Sequence, residues 1–327
     1  MANLREIRRR IKSVKNTSQI TKAMQMVAAS KMRKAQQAAL SGRDYAMLLN
    51  RVIVSLRDNI DPSSHPLLEQ RVVKNELVIL MTSDKGLCGG LNTNVLREVG
   101  SFNAKTTQFV AIGRKGVQFL ARTCRNMIAD FPLEERPTFA KSKQISRFCR
   151  EKFLDGTVDK VTILFPRFVN TLSQVPVALP ILPLTCLEEV GIKSNYEPSE
   201  PIESGIEFEP SPAAVLDAIL PSYIHYIVYQ AQLTSRASEQ SARMVAMKSA
   251  TDNAEELIED LTLSYNIDSN QLRGKAELTA EAVVELRELR LDLVGFRVAK
   301  VTVDGAAARF VVKSQHLVVR PRRPIAA

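Results

Sequence analysis

The sequence predicts an α/β protein: a long antiparallel coiled coil of its N- and C-terminal helices, plus a small Rossmann-like α/β domain. Three observations predict this class. From Ser222 to Asn266 the chain contains no Gly or Pro. Leu233, Ala237, Gln240, Met244, Met247, Thr251, Ala254, Ile258, Leu261 and Tyr265 recur there at alternating spacings of four and three, a single narrow stripe on a helix roughly 65 Å long. At the other end Leu4, Ile7, Ile11, Val14, Ser18, Thr21, Gln25, Ala28, Met32, Ala35 and Ala39 repeat in the same way, and the register runs on through Gly42, Ala46, Leu49, Ile53, Leu56 and Ile60. Between the two, short apolar runs of strand length alternate with helical patterns. Neither long helix can bury its stripe alone, so each serves as the other's partner. The mid-seam positions are small or polar, which brings the helices close and weakens the hydrophobic grip. Two ordinary long helices in a bundle are the plainer reading of the same pattern.

In chain order, Asp61-Pro62-Ser63-Ser64-His65-Pro66 stops the first helix. Glu76–Thr82 (ELVILMT) is a buried strand, followed by the turn Ser83-Asp84-Lys85-Gly86-Leu87-Cys88-Gly89-Gly90 and a helix from Asn92 to about Gly100. Gln108–Ile112, Val158–Phe165 and Val175–Leu179 are further strands; Gly116–Arg122 and Ser142–Leu154 are helices. Together they predict a small layer with a mostly parallel sheet. Tyr196–Pro212 is acidic and Pro-rich, and Ser211-Pro212 marks the start of the second long helix. The predicted organisation is a shaft helix at 1–60, an α/β domain at 75–195, an acidic loop at 196–212, a second shaft helix at 213–266 and a distinct region at 267–327.

Composition narrows the function. No apolar run approaches the ~20 residues of a membrane span and no signal-like segment precedes the first helix, so the expectation is a soluble protein or one held at a membrane by partners. The net charge of +10 is concentrated: residues 1–41 carry ten Lys/Arg against Glu6 alone, and residues 294–327 carry seven against Asp304. A basic coiled coil is one form of nucleic-acid-binding protein, the alternative reading, but no aromatic residue interleaves with the charges of the first helix. Cys88, Cys124, Cys149 and Cys186 form no CxxC pair and read as reduced, mostly buried thiols; His65, His225 and His316 share no ligand spacing. No metal and no cofactor are expected. The Ser83–Gly90 turn lacks both GxxxxGK[ST] and GxGxxG, so its glycines read as turn glycines rather than a phosphate cradle. Cys88 has no His placed by sequence to activate it, and Glu255, Glu256, Glu259 and Asp260 read as a solvated helix face. Nothing assembles an active site, and an enzyme is not expected.

Three blocks carry a resemblance to a known family. They are Leu4-Arg5-Glu6-Ile7-Arg8-Arg9-Arg10-Ile11 through Ile20-Thr21-Lys22-Ala23-Met24-Gln25-Met26-Val27-Ala28-Ala29-Ser30-Lys31-Met32; Thr82 through the Gly-rich turn to Asn92; and Ala237-Ser238-Glu239-Gln240-Ser241-Ala242-Arg243-Met244-Val245-Ala246-Met247-Lys248 with Ala250–Ala254. In order and spacing they resemble the gamma subunit of the rotary (F-type) ATP synthases, over residues 1 to about 266, in its bacterial type without the chloroplast or cyanobacterial insertion. The resemblance implies a coiled-coil shaft inside a hexamer of alternating alpha and beta subunits, and a foot that binds the epsilon subunit and the membrane c-ring. Rotation of the shaft would drive the beta subunits through ATP synthesis, with no bond chemistry in this subunit. It further implies a peripheral position on the cytoplasmic side of a bacterial inner membrane, and regulation of ATPase activity. Partner contacts are expected at Arg8, Arg9, Arg10, Lys12, Met24, Arg33, Lys34, Lys85 and Arg243, and at Phe208 and Glu209, with Phe208 where an aromatic Tyr is usual.

The sequence departs from the family after Tyr265-Asn266. The family continues helically through a Lys-Ala-Arg-Gln type segment; here the chain reads Ile267-Asp268-Ser269-Asn270-Gln271-Leu272-Arg273-Gly274, and Gln271 and Arg273 stand in weakly for the usual Arg-Gln contact with the beta subunits. A fresh helix is expected from about Thr279 to Leu291, then strand-like segments at Phe296–Val303 and Ala308–Val319 with a hairpin signal at Asp304-Gly305. Residues 267–327 are then an added module or the product of an altered reading frame.

Overall fold

The computed structural model describes residues 4–42, 45, 48–49, 65–184, 209, 211–261, 264–266, 271–273, 288–292, 298–304, 306–313 and 316–321. Two compact units make up the chain, Met1–Thr262 and Leu263–Ala327.

In the first unit, helix α1 (Leu4–Ser41) runs antiparallel to α5 (Pro212–Leu261). Their facing residues fix the direction: Thr21 meets Thr251 through a 2.7 Å hydroxyl–hydroxyl hydrogen bond, while further along α1 the carbonyl of Gly42 accepts from Tyr226 Oη at 2.5 Å. The seam predicted from periodicity is the buried stripe. Ser18, Thr21, Ala28, Met32 and Ala39 are buried on α1, and Ala237, Gln240, Met247, Thr251 and Ala254 on α5. Ser211 caps α5, its Oγ accepting from the amide of Ala214 at 3.3 Å, and Pro212 takes the first helical position, where a missing N–H costs nothing. The seam prediction fails at its last position. Helix α5 ends at Leu261, and Tyr265 lies in a strand, because the residues that follow bring no further helical stripe to face α1. The predicted continuation of the first helix through residues 50–60 lies outside the described residues.

A five-stranded sheet stands between the two long helices in sequence. Its order is β3 (Met127–Phe131), β2 (Thr107–Ile112), β1 (Glu76–Met81), β4 (Lys160–Phe168), β5 (Gln174–Leu182). The first four strands are parallel and β5 is antiparallel to β4. Helices α2 (Leu91–Glu98) and α3 (Arg114–Arg122) cover one face, where Val78, Leu80, Phe109, Ala111 and Leu164 pack on Val95 and Leu120. Helix α4 (Phe139–Leu154) and the N-terminal half of α5 cover the other, where Leu77, Ile79, Val110, Ile163 and Phe165 meet Cys149, Phe153, Ile224 and Val228. With both faces covered, β1 and β4 read as continuous apolar runs, as parallel strands do. Sequence reading missed β3: it is an edge strand with only half-buried side chains, and its MIADF lacks a β-branched run.

In the second unit, β6 (Ser264–Asn266) pairs antiparallel with β7 (Gln271–Arg273). A three-stranded antiparallel sheet joins β8 (Leu289–Asp292), β12 (His316–Arg320) and β11 (Arg309–Lys313) in the order β11-β12-β8. Strands β9 (Thr302–Val303) and β10 (Ala306–Ala307) pair across the predicted Asp304-Gly305 turn, with Asp304 at φ 49°, as a two-residue hairpin requires. The helix expected up to Leu291 is corrected at its end. Leu289–Asp292 is a strand, since Leu289 and Leu291 alternate with charged residues at period two. The expected Ala308–Val319 segment is two strands, each pairing with the other.

Candidate functional site

Helix α5 is mounted on the carboxyl ends of β1 and β4. In a doubly wound sheet these ends, where neighbouring connections leave in opposite directions, form the crevice that usually takes a ligand. Here the chain fills it itself. Ser238 Oγ donates to the carbonyl of Pro166 at 2.9 Å, and Ser241 Oγ to the carbonyl of Thr171 in the β4–β5 turn at 2.8 Å. Arg243 Nη2 reaches the carbonyls of Lys85 and Gly86 at 3.4 and 3.3 Å in the Gly-rich turn after β1. Between these contacts Glu239 is 4% exposed and takes both Arg236 and Arg243, the latter at 2.7 Å. A carboxylate so enclosed needs both guanidiniums, because one alone would leave its second oxygen desolvated and unmatched.

The Gly-rich turn is closed on itself. Asn92 Oδ1 accepts from the Ser83 amide at 3.0 Å, Asn92 Nδ2 donates to Ser83 Oγ at 2.7 Å and to Cys88 Sγ at 3.3 Å, and Ser83 Oγ donates to the carbonyl of Lys85 at 2.7 Å. Asp84 Oδ1 accepts from the Arg114 amide at 2.9 Å, and Thr82 Oγ1 from that of Gly116 at 2.8 Å, which ties the turn to the start of α3. Gly89 has φ 55°, so one of the three turn glycines is demanded by backbone geometry. Gly113 is more constrained still: at φ 96° a Cβ there would sit 2.1 Å from the carbonyl oxygen of Thr82. The turn is a mount for α3 and α5, its carbonyls at Ser83, Lys85 and Gly86 taking donors from both. Cys88 is buried; burial pushes the Cys149 thiol up, while Cys124 is exposed. Cys186 lies outside the described residues.

Behind this mount, His225 is buried in α5 with Ser146 Oγ 2.5 Å from its Nδ1. Desolvation lowers its pKa to about 4, with the charges of Arg150 and Lys143 on α4 adding to the shift. It is a neutral core histidine. Burial likewise pushes the Tyr223 and Tyr226 hydroxyls up to about 12. Among the described residues no group of His, Cys, Asp and Glu is placed to hold a metal.

The residues expected to meet partners fall into separate sets. Arg9, Arg10, Lys12, Arg33 and Lys34 are exposed along α1, whereas Met24 is half-buried beside the seam. Lys85 is exposed on the Gly-rich turn, and Arg243 is drawn under that turn by Glu239, so these two are brought together. Glu209 is exposed just ahead of α5. Gln271 and Arg273 bound strand β7, paired with Asn266 and Ser264. The side chains of Arg8, Phe208, Gln271 and Arg273 lie outside the described residues. Sequence reasoning missed the outward apolar residues of α1: Ile20, Met26 and Val27 are 54–63% exposed. Their signal was available, as large apolar residues off the seam register of a helix with a polar outer face.

Comparisons with known proteins agree with this architecture. A profile of the ATP synthase family matches residues 3–271. The ATP synthase gamma chain of Opitutus terrae is 48% identical over 274 residues, spanning 81% of this chain and 92% of that one. That of Methylacidiphilum infernorum is also 48% identical, over 273 residues with the same coverage, and that of Dehalococcoides mccartyi 44% over 272. Among solved structures, a chain of the central stalk and c-ring of the Tetrahymena thermophila mitochondrial ATP synthase superposes with a TM-score of 0.55 at 26% identity, covering 71% of this chain and 99% of that one. A rotor chain of the Euglena gracilis enzyme shares the fold, with a TM-score of 0.55 at 16% identity, over 79% of this chain and 94% of that one. The helix pair, the sheet mounted at its side and the family match over residues 3–271 agree: this chain belongs to the ATP synthase gamma-chain family.

Proposed function

We propose that this chain is the central-stalk rotor of a proton-driven ATP synthase, with the helix pair turning inside an alpha–beta hexamer and the sheet unit standing on the epsilon subunit and the membrane c-ring. In this reading residues 1–60 and 213–266 form the shaft, 75–195 the foot, 196–212 the loop leading into the shaft, and 267–327 an added module. The observation that carries it is the continuity of α5: one helix is held at the carboxyl ends of the foot's strands and forms half of the rod above them. Rotation imposed on the foot therefore reaches the rod through a single covalent helix. The subunit performs no bond chemistry. No helix among the described residues is long and apolar enough to cross a membrane, so attachment to a membrane-associated complex runs through partners, on the cytoplasmic side of a bacterial inner membrane.

Switching a beta subunit between states from 1:99 to 99:1 needs about 5.5 kcal/mol of differential interaction. An exposed ion pair supplies only about 0–1 kcal/mol. Arg8, Arg9, Arg10, Lys12, Arg33 and Lys34 therefore tune rotation against acidic loops of the hexamer, while the bulk and outward apolar residues of the rod, Ile20, Met26 and Val27, exclude the wrong beta conformations. Phe208 and Glu209 face the ring. The test is reconstitution with alpha and beta subunits, using the full chain and one cut after Asn266. Stoichiometric assembly and ATP hydrolysis by both forms is the expected result. Failure of both to assemble would overturn the rotor reading, and loss of torque on neutralising any one of the α1 cations would overturn the distributed mechanism.

A further inference from the structure

The three-stranded sheet of the second unit has two unlike faces. Alternation along its strands sends Phe310, Val312, Leu317, Val319, Leu289 and Leu291 to one face, of which Val319 and Leu317 are buried. The other face is charged. Arg309 sits directly opposite Arg320, and Val311, Val318 and Arg290 form the next row. These side chains line an open concavity of about 500 Å³, with Glu288, His316 and Phe310 in its wall.

Three guanidiniums line this face, and two of them share one carboxylate. Glu288 takes Arg290 Nε at 3.2 Å and Arg320 Nε at 3.0 Å, and the two cations hold its carboxyl below the usual carboxylate range. Each contact uses one of the five N–H donors of a guanidinium. Arg309 forms no ion pair among the described residues, yet it stands opposite another arginine, a like-charge pairing that destabilises a sheet. A face built only for solubility would alternate its charges in opposite pairs. This one gathers positive charge beside two valines, Val318 at 9% and Val311 at 52% exposed.

We infer that this concavity binds a multiply charged phosphate chain, either inorganic triphosphate or the phosphates of a nucleotide. Planar guanidinium forks match phosphate oxygens in pairs, and with Glu288 offsetting one of the three arginines the lining still offers net positive charge to a polyanion. The volume falls in the range of small-molecule sites. Phe310 is the one phenyl ring in the lining, beside the His316 imidazole, short of the run of rings on which successive bases of a single strand stack. Glu288 orients two of the arginines and interrupts the positive field that a flat anionic membrane would favour. The site lies beyond residues 3–271, outside the span shared with the ATP synthase family, and stands independently of the rotor reading.

Calorimetric titration of the full-length chain with sodium tripolyphosphate and, separately, with ATP tests the inference. Both bind in the wild type, and Arg309→Ala and Arg320→Ala each weaken binding about tenfold or more, the scale of a lost charge-assisted hydrogen bond. Arg309→Lys, which keeps the charge and loses the fork, weakens it less. Equal affinity for the two probes assigns the phosphate chain alone; tighter binding of ATP assigns a nucleotide. Arg309 is exposed and faces a like charge, so Arg309→Ala keeps or slightly raises the wild-type thermal midpoint and reports on binding rather than on loss of folding. Unchanged affinity in both alanine variants would overturn the site. So would loss of the heat on Arg33→Ala/Lys34→Ala in α1, or tighter Arg309-dependent binding of oligo(dT) or of phosphatidylglycerol vesicles than of tripolyphosphate.

Discussion

The two halves of α5 are built on different principles. From Tyr223 to Ser241 every residue is buried except Tyr229 and Arg236, which are half-buried, and polar side chains such as Gln230, Ser238 and Ser241 are matched to named partners. From Ala242 to Ile258 only Met247, Thr251 and Ala254 are buried, a stripe one residue wide against α1. The same helix is thus embedded below and merely paired above. A helix enclosed on all sides loses its polar–apolar asymmetry, whereas a two-helix rod shows little else. What differs is the number of neighbours, and with it the number of ways a substitution can do damage.

The largest effect should come from the mount. Glu239→Ala strips Arg236 and Arg243 of their shared carboxylate and should cost about 3–5 kcal/mol, read as a drop in the urea unfolding midpoint. If Glu239→Ala unfolds like wild type, the embedded half is no more demanding than the rod. Next comes pH. The fold holds His225 neutral at a pKa of about 4, while the unfolded chain takes up the proton near 6.5. The unfolded state binds more protons in that window, so His225 withdraws no stability above about pH 6.5; stability is lost as pH falls from 6.5 towards 4, and no more is lost to this group below that. His225→Gln should flatten that part of the pH–stability curve, and an unaltered curve would place the titration elsewhere.

Where the rod begins, Gly42→Ala would place a Cβ 2.6 Å from Gln230 Nε2 and 3.0 Å from Tyr226 Oη. Repacking there should cost about 1–3 kcal/mol in thermal unfolding. The smallest effect belongs to the rod itself. Thr21→Val and Thr251→Val should each cost about 1 kcal/mol, and the double variant less than their sum, because each single change leaves one buried hydroxyl without its partner. Strict additivity in that double-mutant cycle would show that the hydroxyl pair contributes no coupling.

The rod was the more legible half in the sequence, and for a physical reason. A helix with one neighbour writes its contact as a period, and Ser18, Thr21, Ala28, Thr251 and Ala254 could be read off directly. The parallel strands β1 and β4 were legible as apolar runs because both of their faces are covered. Edge strand β3 was not, since it is half-exposed and lacks a pattern of its own. The junction was legible only in part. Periodicity gives no warning that Ser238 and Ser241 reach the carbonyls of Pro166 and Thr171, some seventy residues away, or that Arg243 is turned inward to Lys85 and Gly86. Tyr265 was misplaced because a heptad spacing persists in the sequence for one position beyond Leu261, where the helix itself ends and a strand begins. Beyond Leu261 the alternation of Leu289 with Leu291 was overridden by helix-forming neighbours.

Elastic compliance follows from where the side-chain contacts stop. Above Arg243 the rod is held by a seam of alanines, threonines and methionines, and a twist applied from below meets little resistance to sliding between the two helices. Below Ser241 the same twist must shear a five-stranded sheet and its bound turns. A torsional load on this chain is therefore stored chiefly in the upper rod, which behaves as a soft spring clamped in a stiff base.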